Sequence, residues 1–467
     1  MKKPAALSAA LLVFTATLAA AYAAEIEPSV TLGLTHTDNV RNETVDGLSE
    51  TIYRVEPSLV LTHETERITV DIDYLLQAFQ YEKLSENEVF QQYDAVFRSD
   101  IVPESLYMEF GGSRSQTIVD PEQALPVNNL SFVNNRQDRD EYYVQPGFQF
   151  GLGGNATVQG VYRNSWIENN GNGLQDAKLQ SGQLSIDNYR RGQGLTWALR
   201  YGWALVKNDE SPPWENQQAV AELGFWISGN SRVFASGGKE SDWDTPFDPT
   251  LEATIWEVGF SHQVGERIRA EFAAGERSFG ASFRGSLQVT FRRGSTELTY
   301  NQQPMAQALS PFRTGGFRDP LRFDDFLNRP GSAELFINER LEWRTALNFQ
   351  RTRIGFGIFD DRRTRRSTGD GSALLDQEQR GVNARVSYRL GSKTTLALGG
   401  SLRELDFGDG GTADFLNATF GVDYRLGEQT SIMIEYSYVD LDGQGESRQV
   451  RRDFISNTSS LLITRAF

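Results

Sequence analysis

The chain contains no cysteine and only three histidines among its 467 residues. Without cysteine, disulfides, thiolate metal sites and cysteine nucleophiles are all excluded. His36, His63 and His262 lie far apart in the sequence and form no paired-histidine motif, so a zinc site is not expected. A nucleophile–base pair would have to use one of these three side chains. The sequence therefore favours a protein that is not an enzyme and that needs no cofactor.

The chain also lacks an excess of basic residues and a second long apolar run. Its net charge of −16 argues against nucleic acid as a partner, because binding a polyphosphate needs a clustered basic surface. Beyond the N-terminal segment, no apolar run reaches the roughly 20 residues that a membrane helix needs. If the protein spans a membrane, it must therefore do so as a closed barrel. A hydrophobic fraction of only 39% fits such a barrel, because only alternate strand residues face lipid.

The first residues have the pattern of a secretory signal peptide. Lys2 and Lys3 precede an apolar run over residues 5–20, which ends in the small-residue site Ala21-Tyr22-Ala23. We expect residues 1–23 to be removed and residues 24–467 to form a single domain. The expected location is the outer membrane of a Gram-negative bacterium, where the partners are outer-membrane lipid and the barrel-assembly machinery.

The rest of the chain is dominated by period-two alternation, which is typical of β-strands. Over residues 195–205, Leu, Trp, Leu, Tyr, Trp and Leu alternate with Thr, Ala, Arg, Gly and Ala. Residues 142–150 and 416–426 show the same pattern. A soluble sandwich also alternates, so alternation alone does not choose the architecture.

The lengths of the connections distinguish a membrane barrel from a soluble sandwich. Short turns, as at residues 64–67, 264–267 and 427–430, alternate with long Gly- and Asp-rich connections, as at residues 38–50, 241–252 and 440–453. This asymmetry is typical of an outer-membrane barrel with tight periplasmic turns. We predict an all-β fold, a transmembrane antiparallel up-and-down β-barrel of about 22 strands, with a range of 16–22. Because the first strand begins near Ser29, no plug domain is expected.

Two further patterns fit this fold. Aromatic residues near strand ends, among them Phe225, Trp226 and Trp256, predict girdles at the membrane interfaces. The chain ends in Phe467, with Ile463 and Leu461 at alternate positions upstream. This ending resembles the C-terminal assembly signal of bacterial outer-membrane proteins, although Arg465 departs from the pattern.

The face opposite the apolar one is polar and charged and is predicted to line the lumen. Its candidate residues are Arg54, Glu56, Asp71, Asp73, Arg340, Glu342, Arg344, Arg385, Arg389, Asp423 and Arg425. Charges of mixed sign would hold water in a wide channel. The alternative is that they pair across neighbouring strands and only stabilise the wall. The two interpretations are compatible.

The connection over residues 303–333 is long enough to fold into the lumen as a constriction or gate. Its candidate residues are Arg313, Arg318, Asp319, Arg322, Asp324, Asp325 and Arg329. The alternative is that this connection is an extracellular loop that does not enter the lumen.

Several stretches together resemble one family, the outer-membrane proteins associated with the PEP-CTERM/exosortase system. They are residues 28–34 with Thr37-Asp38-Asn39-Val40, residues 338–343, and the hexad Gly275, Glu276, Arg277, Ser278, Phe279, Gly280. The Tyr-Arg-Leu-Gly segments at residues 388–391 and 424–427 also resemble this family. In the hexad, Glu276 and Arg277 are placed to pair, but a turn that serves only the fold is the simpler interpretation.

The resemblance implies a role in envelope export or surface assembly, with polysaccharide or periplasmic export components as partners. The order of preference is passage of a hydrated polymer such as exopolysaccharide, then a general porin, then a non-conducting assembly scaffold. The residues alone support only an outer-membrane barrel.

Overall fold

The computed structural model describes residues 24–44, 46–118, 128–153, 155–171, 176–188, 194–208, 213–244, 248–306, 335–365, 377–406, 411–444 and 453–467. The expected signal peptide and the seven charged candidates of the 303–333 connection lie outside these residues. Within the described ranges, no helix is both long and apolar enough to span a membrane.

The described residues form 22 strands in one sheet. In chain order they are β1 Glu25–Thr37, β2 Glu50–Glu64, β3 Ile68–Tyr81, β4 Asn87–Val102, β5 Leu106–Ile118, β6 Arg136–Leu152, β7 Ala156–Asn170, β8 Ala177–Asp187, β9 Leu195–Asn208, β10 Trp214–Ser228, β11 Ser231–Asp244, β12 Asp248–Val264, β13 Ile268–Arg277, β14 Gly280–Phe291, β15 Gly294–Ala306, β16 Leu335–Asn348, β17 Thr352–Arg365, β18 Gln377–Arg389, β19 Thr394–Asp406, β20 Thr412–Arg425, β21 Thr430–Gln444 and β22 Phe454–Ala466.

Each strand pairs antiparallel with its neighbours in the chain, and β1 pairs with β22 to close the sheet. The closing register runs from Ser29 opposite Ala466 to Thr37 opposite Thr458. The terminal Phe467 donates its backbone N–H to the carbonyl of Pro28 at 3.0 Å, so the last residue takes part in the closure. A closed sheet leaves no unpaired edge, as a membrane-spanning sheet requires. The prediction of an all-β antiparallel barrel of about 22 strands is confirmed.

The two faces of the wall differ in polarity, because successive side chains in a strand point to opposite sides. On β9, Leu199 and Tyr201 are exposed on the apolar face, and Arg200 lies between them on the other. Exposed Leu, Phe, Tyr and Trp side chains recur on the same face of the other strands. This face is the lipid-facing one, and the polar face lines the lumen. Trp226 departs from the expected girdle, since its neighbour Phe225 points to lipid while Trp226 is buried on the lumen side.

The two ends of the barrel carry connections of different length. The end with residues 65–67, 265–267 and 426–429 carries mostly short turns, and we call it the short-turn end. The other is the long-loop end. Strands there run further than the sequence predicts: β11 continues to Asp244, β12 begins at Asp248 and β21 continues to Gln444. Charged residues in these segments do not end the strands, because backbone pairing continues beyond the apolar band.

Candidate functional site: the barrel lumen

The strand registers place all eleven predicted lumen residues on the polar face. Arg54 lies opposite Gly33, next to the lipid-facing pair Leu32 and Val55. The same alternation places the predicted residues of β3, β16, β18 and β20 on this side. The lumen wall therefore contains charged residues around much of its circumference.

Five of the predicted residues belong to two groups of ion pairs. Arg54 pairs with Glu56 at 2.7 Å. On β16, Glu342 lies between Arg340 and Arg344 and pairs with both. Arg340 also pairs with Asp361 of β17 at 3.0 Å. Only Arg340–Asp361 is the cross-strand pairing that the sequence left as the alternative interpretation; the other pairs join residues two apart on one strand.

The structure does not bring the other predicted residues into such groups. Asp73 of β3 lies directly opposite Asp94 of β4, which places two acidic side chains at neighbouring positions on the wall. In the described part of the chain, Arg385, Arg389 and Arg425 form no ion pair. The lumen thus has a wall that is charge-paired in some sectors and not in others.

A second set of ion pairs on the lumen face was missed by the sequence analysis. Glu222 of β10 accepts from Arg232 of β11 at 2.5 Å and from Arg200 of β9 at 2.8 Å. Arg284 of β14 pairs with Glu257 of β12 at 2.8 Å. These groups line a recess of about 520 Å³ in the β9–β15 sector of the wall. The signal that could have identified them is that each charged residue alternates with apolar residues along its own strand.

The Gly275–Gly280 hexad forms the tight β13–β14 turn at the long-loop end. Arg277 lies opposite Gly280, whose φ of 108° is a conformation that favours glycine. The expected pairing of Glu276 with Arg277 is wrong. Arg277 pairs with Glu240 of β11, on the lumen face, while Glu276 accepts a hydrogen bond from the Trp256 indole on the other face. Consecutive strand residues point to opposite faces, so the two side chains cannot meet.

Two long connections fold inward over the lumen face of β2–β4. They are residues 38–49 between β1 and β2, and residues 128–135 between β5 and β6; their described residues are called the lid. The backbone N–H of Phe132 donates to the carbonyl of Val40 at 2.7 Å, which joins the two connections. The Asn42 side-chain amide donates to the Ser131 hydroxyl at 3.1 Å.

Apolar packing holds the lid against the wall. Val40 of the lid and Ile52, Phe79 and Tyr81 of β2 and β3 form a buried cluster. Phe132 packs edge-on against the Tyr81 ring at a centroid distance of 5.2 Å. Other apolar side chains packed against this cluster are Leu48, Leu84, Phe90 and Leu130. Burying these groups on the lumen side stabilises the inward position of the lid.

A chain of polar contacts also ties the lid to predicted lumen residues. The Asn129 side-chain amide donates to Gln77 at 2.8 Å and to Gln116 at 3.1 Å. Gln77 in turn donates at 3.1 Å to Glu56, the partner of Arg54. A displacement of the lid would therefore leave buried amide groups without partners, which is costly.

The lid was not identified from the sequence, which directed attention to residues 303–333 instead. Residues 38–49 and 128–135 are polar overall and follow ordinary turn chemistry. The signal that could have found them is the few apolar residues inside these loops, Val40, Leu48, Leu130 and Phe132, and their counterparts Phe79 and Tyr81 on the face of β3 that otherwise carries polar residues.

The closed sheet, the apolar outer face and the polar lumen define the class of the protein as an outer-membrane β-barrel. No protein-family model matches the sequence, and no curated protein matches it.

Among solved structures, a mutant of the ferric enterobactin receptor PfeA from Pseudomonas aeruginosa, in complex with enterobactin, is similar in fold with 11% identity and a TM-score of 0.53. The match covers 95% of this chain and 82% of the receptor. The ferric-catecholate import receptor Fiu from E. coli K12 matches with 8% identity and a TM-score of 0.52, over 95% of this chain and 82% of Fiu. The siderophore receptor PirA from Acinetobacter baumannii matches with 9% identity and a TM-score of 0.52, over 95% of this chain and 80% of PirA. At these identities the likeness establishes the fold alone.

Proposed function

We propose that the protein is a non-catalytic passage across the outer membrane for a hydrated polymer such as an exopolysaccharide. The observation that carries this proposal is the polar, charge-paired inner face of a closed 22-stranded barrel. A polar wall holds water, and a barrel of this strand number encloses a lumen wide enough for more than its own side chains. Membership of a PEP-CTERM/exosortase-associated envelope system is part of this proposal, and rests on the sequence resemblance.

The lid favours one alternative, a non-conducting assembly scaffold. Residues of the lid cover the lumen face of β2–β4 at the long-loop end, and their apolar contacts are those of a stable fold. In a passage the same lid acts as a gate that must move for transport. A general diffusion porin is the third candidate, and the small recess in the β9–β15 wall does not distinguish it from a polymer passage.

The test is conductance of the purified protein in planar lipid bilayers, together with swelling of proteoliposomes in sugar polymers of graded size. We expect discrete channels and entry of oligosaccharides. Glu342→Gln, which changes the charge of the lumen wall, should alter ion selectivity. Glu404→Gln is the matched control, since the Glu404 side chain lies on the outer face, where it pairs with Arg380.

The outcomes separate the candidates. Channels that admit small sugars but exclude oligosaccharides would indicate a general porin. Protein that is folded but electrically silent, with the lid intact and also after its removal, would contradict the passage and favour the scaffold.

A further inference from the structure

The short-turn end carries an uneven distribution of charge. In its turns, and in the adjoining two residues of each strand from β12 to β22, there are ten cations. They are Arg267, Arg269, Arg292, Arg293, Arg351, Arg353, Arg389, Lys393, Arg425 and Arg465, and we call them the basic crescent. Glu266 and Glu428 are the acidic side chains at the same positions.

Over its described residues, the other half of the same rim has the opposite sign; Arg190 and Arg191 of the β8–β9 connection lie outside those residues. By the same criterion, the described residues of β1–β11 carry the acidic side chains Glu25, Glu64, Glu66, Glu104 and Asp187 against Arg67 and Arg232. The whole chain has a net charge of −16, so a basic half-rim is opposite in sign to the protein as a whole. The two halves follow chain order, with β1–β11 forming one and β12–β22 the other, so the segregation is already present along the sequence.

The fold does not neutralise the crescent. All ten side chains belong to exposed residues, and none forms an ion pair within the described ranges. Two arginines deeper in the barrel wall behave differently, since Arg284 pairs with Glu257 and Arg340 with Asp361. Like charges gathered on one rim repel one another and destabilise the isolated barrel. An anionic partner would remove that repulsion.

The crescent leads into the lumen. Strand registers place Arg269, Arg353, Arg389 and Arg425 on the lumen face, and Arg385 lies on that face further inside on β18. Acidic residues lie on the same face further inside: Glu271 two residues above Arg269, Asp423 two residues above Arg425, and Glu435 of β21 opposite Gly421. Of the crescent residues within strands, Arg465 alone has the lipid-facing register. This placement favours a partner that enters the lumen over lipid headgroups around the barrel.

We propose that the basic crescent is the entry site for a polyanionic polymer, one carrying carboxylate, phosphate or sulfate groups. This inference rests on the proposed passage and names its substrate class. The short-turn end faces the periplasm in bacterial barrels, so the polymer enters from that side. Exposed guanidinium groups attract such a chain by long-range electrostatics and release it readily, because each contact is weak.

The experiment uses polygalacturonate as the anionic probe and dextran of the same size as the neutral one. Each is added to either side of a planar bilayer that holds the full chain. We expect polygalacturonate to block current from the short-turn side at a concentration at least about tenfold below that of dextran, and less strongly at high salt. Arg353→Gln, Arg385→Gln, Arg389→Gln and Arg425→Gln, combined, should remove the difference while the channel still conducts.

The matched control combines four cations on the outer face, Lys178→Gln, Lys239→Gln, Arg362→Gln and Arg380→Gln. It should leave the block unchanged. Equal block by the two polymers in a conducting channel would overturn the inference and leave the passage standing. An equal effect of the control variant would overturn it as well.

A binding measurement keeps the inference testable if the channel is silent. Folded protein in detergent should bind polygalacturonate. The variant that combines the Gln substitutions at Arg353, Arg385, Arg389 and Arg425 should not. Binding retained by that variant would overturn the inference. If that variant loses binding to phosphatidylglycerol vesicles but still binds polygalacturonate, the crescent is a lipid-binding site, and the inference is overturned as well.

Discussion

The Oε1 atom of Glu50 accepts a hydrogen bond of 2.9 Å from the backbone N–H of Lys83. Oε2 accepts a second from the N–H of Leu84 at 2.9 Å, and Oε1 a third from Thr51 at 2.8 Å. Glu50 is fully buried at the long-loop end of β2, beyond Tyr53, the last apolar side chain that this strand presents to lipid. The carboxylate thereby fixes the β3–β4 turn beside the lid.

This contact predicts a pH dependence. Burial acts to raise the pKa of Glu50, but the three N–H donors outweigh it and hold the pKa below the ordinary value of 4.5. A lowered pKa stabilises the turn above that ordinary value, and the stabilisation is lost as pH falls through the folded-state pKa. We expect the amides of Lys83 and Leu84 to be protected from hydrogen exchange at neutral pH and less so in acid, relative to Glu50→Gln at the same pH. Equal protection in both proteins throughout would refute this role.

The lid should open when its apolar contact is removed. Phe132→Ala deletes the ring that packs on Tyr81, at an expected cost of about 1–3 kcal/mol to the inward position, because Phe132 is only partly buried. Single-channel conductance should rise, and exchange of residues 128–135 should quicken. Phe349→Ala, in the exposed turn between β16 and β17, is the control and should change neither. Faster hydrogen exchange in the lid with unchanged conductance would show that the lid moves but does not gate the channel.

The connection between β15 and β16 remains a second candidate constriction, although β15 continues to Ala306 and so takes up the first four of the predicted residues 303–333. If it folds into the lumen, shortening it should raise single-channel conductance and sensitise cells to large antibiotics, because a wide barrel would otherwise be open. Shortening it together with Phe132→Ala should have a larger effect than either change alone if both obstruct the same path. Unaltered conductance in the shortened protein would assign this connection to the outside of the barrel.

The hexad glycine Gly275 is predicted to serve the fold. A Cβ atom there would lie 1.9 Å from the backbone carbonyl oxygen of Trp256, so Gly275→Ala forces β12 and β13 apart. We expect a loss of about 1–3 kcal/mol in unfolding free energy, measured by denaturant titration of refolded barrel. Gly285→Ala is the control, since its Cβ would meet Phe272 at an ordinary 3.6 Å. Normal stability with altered conductance would instead give the hexad a transport role.

The last residue is predicted to matter for assembly. Phe467 is exposed, its N–H pairs with Pro28, and Arg465 stacks over its ring at 5.5 Å. Deleting Phe467 should reduce the amount of barrel in the outer membrane, seen as less of the fast-migrating form in unheated gel samples, with more periplasmic degradation. Phe467→Tyr keeps the aromatic ring and should assemble normally. Full assembly after the deletion would mean that this ending is not read as a signal.

Local patterns carried most of the fold. Alternation over residues 195–205 and 416–426 determined which side chains face lipid, because period two is a property of any strand regardless of its neighbours. It therefore assigned Arg200 and Arg425 to the face opposite the apolar one without knowledge of the barrel. It could not give the partners of Glu222 or Arg277, since these depend on cross-strand register, and β9, β10, β11 and β13 meet only when the sheet forms.

By itself, the sequence determined the strand alternation, the approximate number of strands and the predominance of charge on one face. These follow from residue-by-residue chemistry and from the need to pair every backbone group in lipid. Only the tertiary structure decided the inward fold of the lid and the partners of the charged lumen residues. Both join residues distant in the chain, as Phe132 meets Val40, because barrel closure brings their strands around one lumen.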